Sequence, residues 1–135
     1  MKTRSIVCLD VGEKRIGVAV ADTGVRIAIA FDTVLVDGTE IETIAKIIDQ
    51  EGADTLVIGY PRNQLGESTA QTSFVELFAQ KLEDFVPTMV FQDESLTSVL
   101  AEEQLKAHKK PYTKGDIDAQ AAAIILQDYL ESNNG

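Results

Sequence analysis

Three groups of carboxylates in this chain sit where chemistry is a reasonable use for them. Asp10 interrupts the apolar, β-branched run IVCLDV, Asp93 and Glu94 open the segment DESLTS, and Asp116 and Asp118 lie in KGDIDAQAAAIIL. An aspartate among Ile6, Val7, Leu9 and Val11 must be paired, hydrogen-bonded or used, because desolvating a lone charge is costly. Lys14 and Arg15 follow it closely and offer two services: neutralising Asp10, or holding a phosphate beside it. Carboxylates gathered from separate elements repel one another unless a cation sits among them, and oxygen donors suit Mg²⁺ or Mn²⁺. Two such ions about 4 Å apart can stabilise the attacking and leaving oxygens of a phosphodiester displacement. Taken singly, most of these acids have plainer roles. Asp93 and Asp116 could cap helices, Asp118 could be a first-turn acid favoured by the helix dipole, and Glu94 a solvated turn residue. Asp10 has no such plain account.

Other chemistries are poorly supplied. A single histidine, His108, leaves no His-rich metal cluster and argues against a Ser-His-Asp triad, and the single cysteine, Cys8, lies in an apolar strand pattern as a small core residue. At 135 residues, with 44% hydrophobic and 25% charged residues, the chain fits one domain spanning 1–135. No apolar run approaches the roughly 20 residues needed to cross a bilayer, and Asp10 interrupts the only N-terminal apolar stretch, so no membrane contact and a cytoplasmic location are expected.

The net charge of −10 argues against coating the whole surface with nucleic acid. Basic charge is local, however. Seven acids face Lys46 alone between Asp32 and Asp54, whereas Lys106, Lys109, Lys110 and Lys114 form an acid-free run, and Lys2, Arg4, Lys14, Arg15 and Arg26 outnumber the acids of the first hairpin. Tyr112 within the lysine run offers a ring on which an unpaired base could stack.

These groups need elements to position them. Residues 4–11, 15–22 and 26–36 read as three strands of an antiparallel meander, joined by turns VGEK and DTGV whose glycines can take φ > 0. Thr39 and Glu42 have capping-box spacing ahead of a helix carrying Ile41, Ile44, Ala45 and Ile48 until Gly52. DTLVIGY (54–60) reads as a parallel strand buried on both faces. Gly59, Pro61 and Gly66 shape the loop PRNQLGE, which presents Arg62 and Asn63. Ser68 and Gln71 suggest a second capping box, before a helix whose stripe Phe74, Leu77, Phe78, Leu82 and Phe85 is expected in the core. A strand over 88–92, a helix from about Leu96 to Ala107 and a helix from about Asp116 to Glu131 complete an order βββαβαβαα. Right-handed crossovers make this a five-stranded mixed sheet, its third strand at an edge, flanked by helices. The carboxyl ends of its parallel strands then meet in a crevice near Asp10 and the Asp93–Glu94 pair.

DVGEKRIGVAVAD, VIGYPRNQLGES, DESLTS and KGDIDAQAAAIILQDYL together resemble four successive motifs of the YqgF family, also called Holliday junction resolvase-like or RuvX proteins, across essentially the whole chain. The resemblance implies an RNase H-like α/β fold and a hydrolase: a two-metal nuclease maturing the precursor of small-subunit (16S) ribosomal RNA with Mg²⁺ or Mn²⁺. By motif position, it maps the family's catalytic, metal-holding acids to Asp10, Glu94 and Asp118. Lys14, Arg15, Arg62, Asn63, Lys109, Lys110 and Lys114 are the candidate contacts to substrate. One departure is Ser95, where the family usually has arginine. A guanidinium there could grip a scissile phosphate in bidentate fashion, whereas serine offers a hydroxyl and a helix cap.

Three other readings compete. A Holliday junction resolvase would need a symmetric dimer, and no exposed apolar stripe in the sequence marks its interface, so a monomer acting on RNA, and on ribosomal precursor particles, is the simpler expectation. A non-catalytic ribosome-assembly factor would retain the fold and suit the acidic surface. An actin-like ATPase shares a D-x-G turn after its first strand but needs two such domains, and this chain has length for one.

Overall fold

The computed structural model describes residues 4–61, 69–94 and 97–132, with side chains at all of these except 94 and 97–99. Strict alternation in the first strand, β1 (Ser5–Val11), sends Val7, Leu9 and Val11 into one core and Ile6 and Cys8 into another. Such a strand must be covered on both faces. The hairpin partner β2 (Arg15–Asp22) pairs antiparallel with β1, and β3 (Ile29–Leu35) pairs antiparallel with β2. After helix α1 (Glu40–Glu51), strand β4 (Ala53–Pro61) lies parallel to β1. After α2 (Ala70–Gln80) and a 3₁₀ turn at Glu83–Phe85, β5 (Thr88–Glu94) lies parallel to β4. Helices α3 (Thr97–Ala107) and α4 (Lys114–Ser132) end the chain, and the sheet order β3-β2-β1-β4-β5 is the mixed sheet expected, with β3 at an edge.

The two faces differ in what covers them. Ile44, Ile47 and Ile48 of α1 and Val75, Phe78 and Ala79 of α2 pack on Val7, Leu9 and Ile58. Ala122, Ala123, Ile125 and Leu126 of α4 pack on Ile6, Cys8, Ala19 and Val57. Alanines at 119, 121, 122 and 123 are all buried and let α4 approach the sheet closely.

Several local expectations change. Thr39 does precede α1, but its side chain makes no cap bond; its hydroxyl and N–H both donate to Asp37 Oδ1, which orders the turn from the loop side. The cap of α2 is Thr69 with Thr72, one residue beyond the Ser68–Gln71 pair, of which Ser68 lies outside the described residues; the buried Thr72 also donates to the Pro61 carbonyl. Phe78 and Leu82 are core, whereas Phe74, Leu77 and Phe85 are exposed, Leu77 at 61%. Position 12 stays glycine because a Cβ would lie 2.7 Å from the Arg15 carbonyl, not because φ is positive there; the left-handed residue after β2 is Arg26, with φ 61°. β3 is shorter than 26–36, and Val25, Ile27, Ile29, Phe31 and Leu35 are exposed along this edge, an apolar stretch that periodicity did not reveal. A register shift opposite Val18 and Ala19 interrupts it, which blunts the edge for further pairing. Among the described residues no helix is long and apolar enough to cross a membrane.

Candidate functional site

Asp10 continues the Ile6–Cys8 face of β1, so the two-residue period puts it on the side of the sheet that α4 covers, half-buried near the strand's carboxyl end. Its partner across the hairpin is Gly17. A Cβ built on Gly17 would lie 1.9 Å from the backbone carbonyl oxygen of Asp118, so the absence of a side chain there is what lets the first turns of α4 settle on the sheet beside Asp10. Glycine in the interior of a β-branched strand signals such a close approach. RIGVAVAD carries that signal at Gly17.

Asp118 is brought to this end of the sheet, and Arg15 is its partner there. Arg15 Nε donates to Asp118 Oδ2 at 2.5 Å, with side-chain exposures of 34% and 21%. Arg15, expected to neutralise Asp10 or to hold phosphate, ties β2 to α4 through this bond. Asp116 has the plainer role. The Thr113 N–H donates to its carboxylate at 2.8 Å and its own N–H donates to Thr113 Oγ1 at 3.1 Å, a reciprocal cap at the start of α4.

The Asp93–Glu94 pair lies inside β5, not beyond it, paired in register with Tyr60 and Pro61. Gly59 and Pro61 likewise remain in β4. The residues joining β5 to α3, 95 and 96, lie outside those described. Asp93 lines a groove of about 440 Å³ with Tyr60, Glu76, Phe91 and Gln92, where the Tyr60 and Phe91 rings meet edge-on at 5.0 Å. Strand alternation sets Asp93 with Phe91 on the α2 side and assigns position 94 to the face that holds Asp10. The side chain of Glu94 lies outside those described.

Of the basic candidates, Lys14 is exposed in the turn between β1 and β2, Lys109 and Lys110 are exposed between α3 and α4, and Lys114 is the exposed first residue of α4, one helical turn ahead of Asp118. Arg62, Asn63 and Ser95 lie outside the described residues. Tyr112 is half-buried and its hydroxyl donates to Glu102 Oε2 at 2.9 Å; that bond holds the phenol's pKa above its ordinary value and ties the loop to α3.

Asp10 and Asp118 are hard oxygen donors from two different elements on one face of the sheet, the donor type a Mg²⁺-class ion takes, and the Gly17 contact sets the backbone of the second against the strand paired with the first. Among the described residues no three side chains of ligating type converge. The two carboxylates fit such an ion as a partial set.

The fold is RNase H-like. Two solved structures share it: Thermus thermophilus RuvC in complex with Holliday junction substrate, with a TM-score of 0.56, 13% identity and coverage of 98% of this chain and 96% of that one, and Thermus thermophilus RuvC, with a TM-score of 0.54, 11% identity and 95% of each chain covered. The RuvX family, described as Holliday junction resolvase, matches residues 4–132, and the chain belongs to that family. Among relatives named "Putative pre-16S rRNA nuclease", the protein of Chloroflexus aurantiacus is 40% identical over 138 positions, covering 98% of this chain and 90% of its own. That of Synechocystis is 41% identical over 128 positions, covering 91% and 84%.

Proposed function

We propose that the protein is a metal-dependent endonuclease that hydrolyses phosphodiester bonds in the 5′ maturation of precursor 16S ribosomal RNA, working as a single-domain monomer in the cytoplasm. The relatives' shared name supports the substrate, and one observation carries the site: Asp10 from the central strand and Asp118 from the covering helix stand on one face at the carboxyl end of β1. Asp10, Glu94 and Asp118 would hold Mg²⁺ or Mn²⁺. When bound, the metal supplies Lewis acidity to the scissile phosphate and acidifies the attacking water. The chain's own residues do the rest. Asp10 would offer its carboxylate from the central strand and Asp118 its own from α4, and Lys14, Lys109, Lys110 and Lys114, with Arg62 and Asn63, would bind flanking phosphates as point charges and hydrogen-bond donors.

Product mapping on precursor ribosomal RNA and on a four-way DNA junction, each in Mg²⁺ and Mn²⁺, tests this reading. Cleavage of the RNA near the mature 5′ end, abolished in Asp10→Asn with its fold intact by circular dichroism, is the expected result. Symmetric nicking of the junction alone would move the assignment to a resolvase, the activity in the family's description. Cleavage of neither, with RNA still bound, would leave a non-catalytic assembly factor.

A further inference from the structure

The Arg15–Asp118 pair raises a conflict that the proposed metal site must resolve. A guanidinium bonded at 2.5 Å to Asp118 Oδ2 occupies an oxygen that a metal ion would use, and two cations on one carboxylate repel. Asp118 has little freedom to turn away, because its backbone carbonyl rests against Gly17 and the four residues after it include the buried Ala119, Ala121 and Ala122. Arg15 has more. It is the first residue of β2, its backbone carbonyl is tied to the Gly12 N–H at 3.0 Å, and its long side chain lies at the rim with a third of its surface in solvent. Another ion pair among the described residues, Arg4 with Asp54, is longer at 3.5 Å and far more exposed, as expected of a surface contact.

We propose that Arg15 is a stand-in cation. In the metal-free protein its guanidinium neutralises Asp118 and keeps that carboxylate in place, and metal binding displaces it toward a phosphate oxygen of the nucleic acid. Arg15 is thus a positioning residue for the metal site before loading and a substrate contact after it. The exchange keeps the local charge balanced at each stage: one carboxylate with one guanidinium, then a carboxylate with metal and a guanidinium with phosphate. It also makes metal and nucleic acid bind cooperatively, since each favours the released arginine. This inference rests on the reading of Asp118 as a metal ligand.

The test measures Mn²⁺ binding by calorimetry on the full chain without nucleic acid, for the parent, Arg15→Gln, Arg15→Lys and Asp118→Asn. Removing the competing charge should tighten Mn²⁺ about fivefold in Arg15→Gln, on the scale of a partly exposed ion pair, while Arg15→Lys should stay near the parent. In EDTA the Arg15→Gln protein should melt lower than the parent, and saturating Mn²⁺ should close that gap, which loss of a structural tie alone would not do. Nucleic-acid affinity should fall in Arg15→Gln in Ca²⁺, with a salt slope smaller by about one unit, and be unchanged in EDTA. Mn²⁺ binding that is weaker or unaltered in Arg15→Gln, or in the neutral Arg15→Met should Arg15→Gln fail to fold, overturns the exchange while leaving the nuclease reading intact. A parent that binds no Mn²⁺, or binds it equally well as Asp118→Asn, overturns the metal reading of Asp118 itself and the exchange with it.

Discussion

A methyl group at position 17 would test the site's geometry more sharply than most charge changes. In Gly17→Ala the new Cβ would meet Asp118 backbone atoms at 1.9 and 2.3 Å and the Ala119 nitrogen at 2.9 Å, and backbone cannot step aside as a flexible side chain can. The start of α4 must lift from the sheet. We expect a loss of about 2–3 kcal/mol in urea unfolding, at the upper end of overpacking costs, together with weaker Mn²⁺ binding because Asp118 moves. Unchanged stability would mean that α4 does not rest on β2 here. A second residue sets a pH dependence away from the site. The Thr39 hydroxyl, and after it the Thr39 N–H, donate to Asp37 and hold its carboxyl below the ordinary aspartate range. A depressed folded-state pKa adds stability above the unfolded value and loses it as pH falls through the folded one. Asp37→Ala should therefore melt lower than the parent near pH 7, with the difference fading below pH 4. Thermal scans across that range check it, and a difference constant with pH would sink it.

α4 is the element that turns a generic sheet into a site, and both its ends are fastened. Thr113 and Asp116 cap its start. Near its end Gln127 accepts from the Ala28 N–H at 2.9 Å and donates to the Arg26 carbonyl, while the Arg26 guanidinium donates to the Leu130 carbonyl. Gln127→Ala should cost about 1 kcal/mol and speed amide exchange at Ala28, with Mn²⁺ binding unchanged because Asp118 lies more than two helical turns away; equal protection at Ala28 would show that the loop is held by something else. The sequence made the strand order and α1 legible because their apolar periods are unambiguous. α2 was harder. Phe74, Leu77, Phe78, Leu82 and Phe85 make one helical stripe and Val75, Phe78, Ala79 and Leu82 another, shifted by a fraction of a turn, and the sheet's position decides which is covered. Asp10 stood out because a carboxylate in a buried strand is expensive. Asp118 could not be separated from Asp116 by local pattern, since both open the same helix; the difference lies in contacts with Thr113 and Arg15, the latter 103 residues away. β5 runs past the 88–92 that its local pattern suggests because Tyr60 and Pro61, which give Asp93 and Glu94 their backbone partners, are remote in sequence.

Across the whole molecule, the question is how a chain of net charge −10 holds a polyanion. The fold sorts its charge in part, for α3 and α4 also carry Glu102, Glu103, Asp128 and Glu131. α1 and α2, carrying Glu40, Glu42, Asp49, Glu51 and Glu76, pack on the face opposite α4, while Lys14 stands in the turn after β1 and Lys106, Lys109, Lys110 and Lys114 are exposed where α3 gives way to α4. The basic rim thus sits with α4 and the carboxylates, and the acidic helices lie on the sheet's other side. Few phosphates can be met this way. Each neutralised phosphate adds a little under one unit to the slope of log affinity against log salt, so binding in Ca²⁺, chosen to suppress cleavage, should depend only shallowly on salt. Replacing Lys109 and Lys110 together by alanine should reduce that slope by up to about two units and weaken unrelated sequences alike, because phosphate contacts carry no base information. Lys109 has φ 54°, and alanine brings the same Cβ to that left-handed backbone, so the exchange of an exposed side chain should leave the fold about as secure and the loss can be read as binding. A slope and affinity both unchanged would take this loop out of the nucleic-acid surface and leave Lys14, Arg15 and Lys114 as the rim to be tested next.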